Sequence, residues 1–259
     1  MTSQKKDICF ATFARNEKIR LPIWLNYYSK FIDWEHIYVI DQNTTDKSTD
    51  NLKCNVIYEP NELVFDHPWL REMLSRNLKT LLNKYEIVVL TECDELLITK
   101  DNSNLKTYLI NKYKGKNYNG ATDLLDVIQC SGEKNYSIGD KISKIRNYLT
   151  PWPGARKHII HTTYNKITSN GFHGGNGIFN NNLVSIHIQC LNYSFFKEKI
   201  LQRIKEEKQY GKGSGVLEGG NVVDCWNAHY KEDLIDPYFK DVYNRRIVAP
   251  DWFKNNTYI

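Results

Sequence analysis

The chain has 259 residues, 41% of them hydrophobic and 25% charged, with a formal charge of +5. This ordinary globular balance allows a sizeable core in one domain spanning residues 1–259, and the length needs no disulfide framework. Basic residues are dispersed, with only short clusters such as Lys5-Lys6, so a dedicated nucleic-acid binder is excluded.

The first hundred residues alternate strand and helix. Ile8–Phe13 is a short apolar run of the kind that forms a buried strand. After Arg15-Asn16-Glu17, the residues Leu21, Trp24, Leu25, Tyr28 and Phe31 recur at helical spacing, with Pro22 in the first turn. A second strand, His36–Ile40, ends at Asp41, and Asn55–Tyr58 predicts a third. Leu70, Met73, Leu74, Asn77, Leu78, Leu81 and Leu82 share one helix face. Glu86–Thr91 is the fourth strand and runs directly into Glu92-Cys93-Asp94-Glu95.

Such alternation predicts an α/β fold with a mostly parallel, Rossmann-like sheet flanked by helices. Ligands then bind at the carboxyl ends of the strands, where strand order reverses, which singles out Thr12 to Glu17, Asp41, and Glu92 to Asp94.

Beyond residue 100 the pattern loosens into an irregular acceptor-side region, residues 101–230. Leu105, Tyr108 and Leu109 suggest a helix, and Gly120 to Gln129 a strand carrying Asp123 and Asp126. Residues 130 to 180 are rich in Gly, Asn, Pro and Lys and read as loops and antiparallel strands. Leu183–Ile188 returns to strand character, and Phe195 to Ile204 has helical spacing. The tail, 231–259, reads as short helix or coil.

The acids after strand four carry the first chemical signal. Carboxylates are hard oxygen ligands suited to Mg²⁺ or Mn²⁺, ions that keep positions open for substrate phosphates. A metal there would neutralise a diphosphate leaving group as a glycosidic bond breaks. Gly171-Phe172-His173-Gly174-Gly175-Asn176-Gly177 is either a flexible turn or a cradle whose backbone N–H groups meet an oxyanion. Either Asp126 or Asp123 is a candidate base for an acceptor hydroxyl, with Glu218, Asp224 and Asp233 also open. Arg15 and Arg156 are candidates to offset phosphate charge.

The 17 Tyr and 6 Trp serve either the core or sugar stacking; Trp69, Trp152 and Trp226 are candidate platforms, Trp152 foremost, since Pro151 and Pro153 suggest a loop.

Three segments together resemble the GT-A glycosyltransferases, most nearly their family-2-like and family-92-like group. They are Arg15-Asn16-Glu17, Leu21 to Tyr28, and Ile37 to Asp46, with Glu92-Cys93-Asp94-Glu95-Leu96-Leu97 at the place of that group's acidic motif. The resemblance covers residues 7 to 98, with a weaker echo over 171 to 200. It implies a nucleotide-diphospho-sugar donor, UDP-sugar favoured, a glycan or other hydroxyl acceptor, and Mn²⁺ or Mg²⁺, in polysaccharide or glycoprotein synthesis. By position, Thr12, Phe13, Ala14, Arg15 and Glu17 would line the nucleotide pocket, and Asp41 would meet base or ribose. Asp94 would ligate the metal. Glu92 stands where the group usually has Asp, so it either assists the metal or contacts ribose or a metal-bound water. His187, or second to it His173, would complete the metal shell; His187 is otherwise a core histidine. His173 would also hold diphosphate or acceptor.

Two other classes remain. A sugar nucleotidyltransferase usually has a Gly-rich loop after strand one, and Ala11 to Glu17 has no glycine. A noncatalytic sugar-binding module has no need of the acids. The six cysteines form no CxxC pair, and neither a signal peptide nor an apolar run of about 18 residues is present, which reads as a reduced, cytoplasmic setting. Three glycosylation-type triplets, at Asn43, Asn135 and Asn192, are then chance matches.

Overall fold

The computed structural model describes residues 4–61, 66–210 and 235–259. Its elements begin with β1 (Lys6–Ala14), α1 (Arg20–Tyr28), β2 (Ile37–Asp41), β3 (Asn55–Tyr58), α2 (His67–Leu82), β4 (Tyr85–Glu92) and β5 (Glu95–Thr99). They continue with α3 (Leu105–Tyr113), β6 (Gly120–Val127), α4 (Ile142–Ile145), β7 (Tyr148–His161), β8 (Ile178–His187) and α5 (Tyr193–Tyr210). Helix Ile235–Asn244, strand β9 (Ile247–Val248) and a last turn of helix, Asp251–Lys254, follow.

One sheet runs in the order β3-β2-β1-β4-β7-β6-β8-β5, with β9 beside β7. The half formed by β3, β2, β1 and β4 is parallel, as the alternation predicts. Past β4 the sheet is mixed: β7 is antiparallel to β4 and β6, β8 is parallel to β6, and β5 is antiparallel to β8. The centres of β1, β2 and β4 are mostly apolar and buried because both of their faces are covered, and the polar residues fall mainly at the strand ends. β3 is an edge strand and is largely exposed.

Helix α1 has no side-chain cap, and tertiary contacts hold it instead. Leu21, Trp24 and Tyr28 are fully buried, each apolar body contributing about 1.5–3 kcal/mol. Its polar tips satisfy sheet groups: Trp24 Nε1 donates to Thr91 Oγ1 (2.8 Å), and Tyr27 OH donates to Leu97 O (2.7 Å). Leu97 N–H donates to Tyr28 OH (2.9 Å). These tyrosines belong to the core. α2 is capped by Asp66, whose side chain accepts from Trp69 N–H at 3.2 Å. Trp69 itself is half-buried against the core.

Trp152 does not lie in a loop. It is part of β7, where the register slips between Asp123 and Leu125 and so accommodates the flanking prolines. Between β6 and β7 the chain is irregular but pinned: fully buried Arg146 donates to Leu191 O (2.6 Å), Lys134 O (2.8 Å) and Asn192 Oδ1 (2.8 Å). A second, smaller apolar cluster, including Ile128, Phe196, Ile200 and Val242, seats α5 and helix Ile235–Asn244. Among the described residues no helix is long and apolar enough to cross a membrane. Glu218, Asp224, Trp226 and Asp233 lie outside the described residues.

Candidate functional site

β1 and β4 are neighbours, but the chain leaves β1 toward β2 on the other side, so the switch point lies between their carboxyl ends. There Phe13 is in register with Glu92. Cys93-Asp94 forms the turn into β5, whose first residue, Glu95, pairs with His187 on β8. Asp126 on β6 pairs with the same His187 from the other side. Backbone register thus sets three chemical side chains in a row.

His187 Nε2 lies 3.4 Å from Asp94 Oδ2, and its Nδ1 lies 2.6 Å from Asp126 Oδ1. The second Asp126 oxygen accepts from Trp152 Nε1 at 2.7 Å. Arg20 Nε stands 3.7 Å from Asp94 Oδ2. Burial would raise the Asp94 carboxyl, but the His187 ring and the Arg20 guanidinium outweigh it and hold it well below the usual carboxylate range. Burial likewise disfavours a charged His187, and the two flanking aspartates overcome that and raise its pKa.

Glu92 is engaged differently. Lys157 Nζ donates to Glu92 Oε2 (2.8 Å) and to Gly171 O (2.6 Å), and pairs with Glu95 as well. Burial pushes Glu92 up, and Lys157 reverses this to a net lowering. Glu95 is fully buried; desolvation, with Glu92 nearby, raises it to about 8 against the pull of Lys157. Burial opposes the Lys157 charge, but its two glutamates raise its pKa.

The loop after β1 is held from several sides. Asn16 adopts positive φ (54°), which asparagine tolerates, and its Oδ1 accepts from Thr45 N–H (2.7 Å) and Asp46 N–H (3.0 Å). Helix α5 lies over it: Lys199 Nζ donates to Asn16 O (2.7 Å) and Arg15 O (3.0 Å) and meets Glu17 Oε1 at 2.7 Å. Glu17 also faces Arg20 (3.5 Å) and Arg203 (3.8 Å), while Glu206 accepts from Asn16 Nδ2 (2.5 Å). Arg15 donates to Asn61 O at 2.7 Å and meets Glu206 at 3.4 Å.

The residues expected at the nucleotide pocket therefore divide. Thr12 and Ala14 are buried and share one face of β1, so their side chains do not line an open crevice; Phe13, on the opposite face, is half-buried and packs edge-on against Phe172. Glu17 and Arg15 are tied into the α5 contact. Asp41 accepts from Thr44 N–H (2.8 Å) and Thr49 Oγ1 (2.9 Å), organising the loop after β2.

The base candidates divide as well. Asp126 is buried, and its two oxygens bond His187 Nδ1 and Trp152 Nε1. Asp123 is half-buried and in register with Arg156, outside the Asp94–His187 row. The Arg156 guanidinium packs over Phe179, 4.6 Å from the ring centre. His173 is exposed; partial desolvation first, and the Lys157 ammonium second, lower its pKa. A Cβ at Gly171, where φ is +60°, would sit 3.3 Å from His173 Nε2 and 3.4 Å from Glu92 Oε2, so the two side chains share one rim.

The glycine-rich loop is a laid-down strap. Gly174 N–H donates to Ser169 Oγ (2.5 Å) and Gly177 N–H to His158 Nδ1 (3.1 Å). A Cβ at Gly177 would come within 2.9 Å of the Gly120 backbone, so this close approach requires glycine. Trp152 is no open platform: its indole is bonded to Asp126, and Arg245 covers the ring at 4.6 Å.

Lys157, Arg20 and Lys199 are site residues that the sequence did not single out. An inward-facing lysine among the apolar residues of β7 was the available signal for Lys157.

Among the described residues, no three His, Cys, Asp or Glu side chains converge as a ready-made metal cage. The pair Asp94 and His187 does offer a hard oxygen and an imidazole nitrogen, each side chain 14% exposed. That donor set fits Mn²⁺ or Mg²⁺ bound by one carboxylate and one imidazole, with phosphate oxygens and water in the remaining positions.

No protein-family model and no curated protein matches the chain. Among solved structures it is similar to glucosyl-3-phosphoglycerate synthase from Mycobacterium tuberculosis in complex with Mn²⁺, uridine-diphosphate and glucosyl-3-phosphoglycerate. The identity is 19% and the TM-score 0.33, over 47% of this chain and 44% of that one. It is similar to S. aureus TarS at 12% identity and a TM-score of 0.36, over 92% of this chain and 43% of that one. A third likeness is to the bifunctional IspDF from Campylobacter jejuni, at 13% identity and a TM-score of 0.36, over 76% and 54% of the two chains. The chain spans less than half the length of the first two. Beside these likenesses, each below 20% identity, the chain itself shows a mixed α/β sheet flanked by helices.

Proposed function

We propose that the chain is a divalent-metal-dependent glycosyltransferase, moving a sugar from a nucleotide-diphospho-sugar, UDP-sugar favoured, to a glycan or other hydroxyl acceptor. The carrying observation is the Asp94–His187 pair, 3.4 Å apart at the switch point of the sheet. Mn²⁺ or Mg²⁺ held there supplies charge neutralisation to the departing diphosphate. Asp94 and His187 Nε2 would be its protein ligands, with Arg20 Nε 3.7 Å from the same Asp94 oxygen. Glu92, neutralised by Lys157, shapes the rim and contacts ribose or water rather than the ion. Phe13 offers an apolar face on the nucleotide side. His173, exposed and sharing the rim with Glu92, is placed to hold the diphosphate or the acceptor. Residues 1–259 act as one domain in this reading, with the loops of 101–230 shaping the acceptor side.

The test is incubation with Mn²⁺ and a panel of nucleotide-sugars, followed by assay of free nucleoside diphosphate. Release with at least one donor, and a metal-dependent thermal shift with UDP, are expected. Neither appearing with any donor would overturn the reading. Pyrophosphate release from a nucleoside triphosphate and a sugar phosphate would replace it with a nucleotidyltransferase.

A further inference from the structure

Asp126 is buried, yet it is neither orphaned nor available to a substrate. One oxygen meets His187 Nδ1 at 2.6 Å, and the other accepts from Trp152 Nε1 at 2.7 Å. Asp126 and His187 are register partners on adjacent parallel strands, so their approach is fixed by backbone. Trp152 is held in turn, its ring under the Arg245 guanidinium at 4.6 Å.

An imidazole that ligates through one nitrogen must carry its proton on the other, and a carboxylate at that second nitrogen fixes both tautomer and ring plane. We propose that Asp126, itself oriented by Trp152, is a positioning residue that keeps the proton on His187 Nδ1 and aims Nε2 at the Asp94 side. This rests on the metal-dependent reading above and assigns Asp126 and Trp152 a role in it. The carboxylate acts through His187 and touches neither donor nor acceptor. The relay Trp152–Asp126–His187–Asp94 crosses β7, β6, β8 and the β4–β5 turn, so the ring cannot rotate without breaking bonds on both sides.

The experiment is a Mn²⁺ titration of the full chain with UDP present, read by the loss of the free-ion electron-spin signal. It compares wild type, Asp126→Asn, His187→Ala and the double variant. Asp126→Asn is expected to weaken Mn²⁺ binding by about tenfold or more. In the His187→Ala background the same change is expected to add nothing, because the carboxylate works through the ring. Wild-type affinity in Asp126→Asn, or an equal loss with and without His187, would overturn the proposal. If Asp126→Asn does not fold, Trp152→Phe is titrated instead, with a smaller loss expected and an unchanged affinity overturning it. The metal-free wild type gives an independent readout: a strongly deshielded His187 Nδ1 proton in its NMR spectrum is expected, and its absence would overturn the proposal. Wild type that binds no Mn²⁺ with UDP would instead remove the metal-dependent reading, and this proposal with it.

Discussion

Lys157 Nζ lies 2.8 Å from Glu92 Oε2, so the first acid of the Glu92-Cys93-Asp94 segment is neutralised from within the protein. The same ammonium pairs with Glu95 and donates to Gly171 O, and it is only 2% exposed. One cation thus joins the end of β4, the start of β5 and the strap over the site. Removing it leaves the fully buried Glu95 without its cation and partly exposed Glu92 without its partner. Lys157→Met is expected to cost about 3–5 kcal/mol in urea unfolding, and the double variant with Glu95→Leu to recover part of that. A loss below about 1 kcal/mol would show that the trio is not a buried network.

Asp94 and Glu92 differ in their partners, so their variants should differ in kind. Asp94→Asn is expected to lower turnover of the competent donor by about 100-fold or more, near 3 kcal/mol of transition-state stabilisation. Glu92→Gln should be milder and show mainly in donor KM. Steady-state kinetics with varied Mn²⁺ distinguish them, and equal losses in kcat would return Glu92 to the metal.

His161 gives a pH dependence with a definite sign. Burial lowers its pKa to about 4, and neither ring nitrogen has a hydrogen-bond partner among the described residues. The unfolded chain takes up the proton near pH 6.5 and the folded chain only near 4, so stability is full above 6.5 and lost as pH falls through 4. Across that window the loss is about 3 kcal/mol. His161→Leu should flatten the fall in urea midpoint between pH 6.5 and 4 and raise stability at neutral pH, because it removes unpaired buried polar atoms. An unchanged pH slope would place the titration elsewhere.

Glu17 and Lys199 join the loop after β1 to helix α5 through a buried pair at 2.7 Å, while Lys199 also serves two backbone carbonyls. Lys199→Met and Glu17→Gln are each expected to destabilise by about 3 kcal/mol. Because they share one network, the double variant should lose clearly less than the sum. Strict additivity in denaturation curves would contradict the network.

What the sequence disclosed follows from range. β1, β2 and β4 were legible because strands covered on both faces carry near-continuous apolar runs at their centres. α1 was legible from its spacing and α3 from its three apolar residues. The resemblance put Asp94 and His187 in one metal shell, whereas their meeting depends on β5 lying antiparallel to β8, a pairing that no local pattern encodes. The bonds of Asp126 were not legible, because a lone aspartate on a strand does not reveal which histidine and tryptophan will meet its oxygens. Trp152 misled through its prolines, whose strand position relies on a register slip. Lys199 reaches Asn16 across 183 residues, and Lys157 reaches Glu92 across 65. Such partners are fixed by tertiary packing of distant elements.

Ile188 N–H donates to Asp94 O at 2.8 Å, clamping the β4–β5 turn to the end of β8 by main chain alone. The walls that carry Asp94 and His187 are therefore joined by backbone, and replacing either side chain changes what the socket offers a ligand without unfastening its walls.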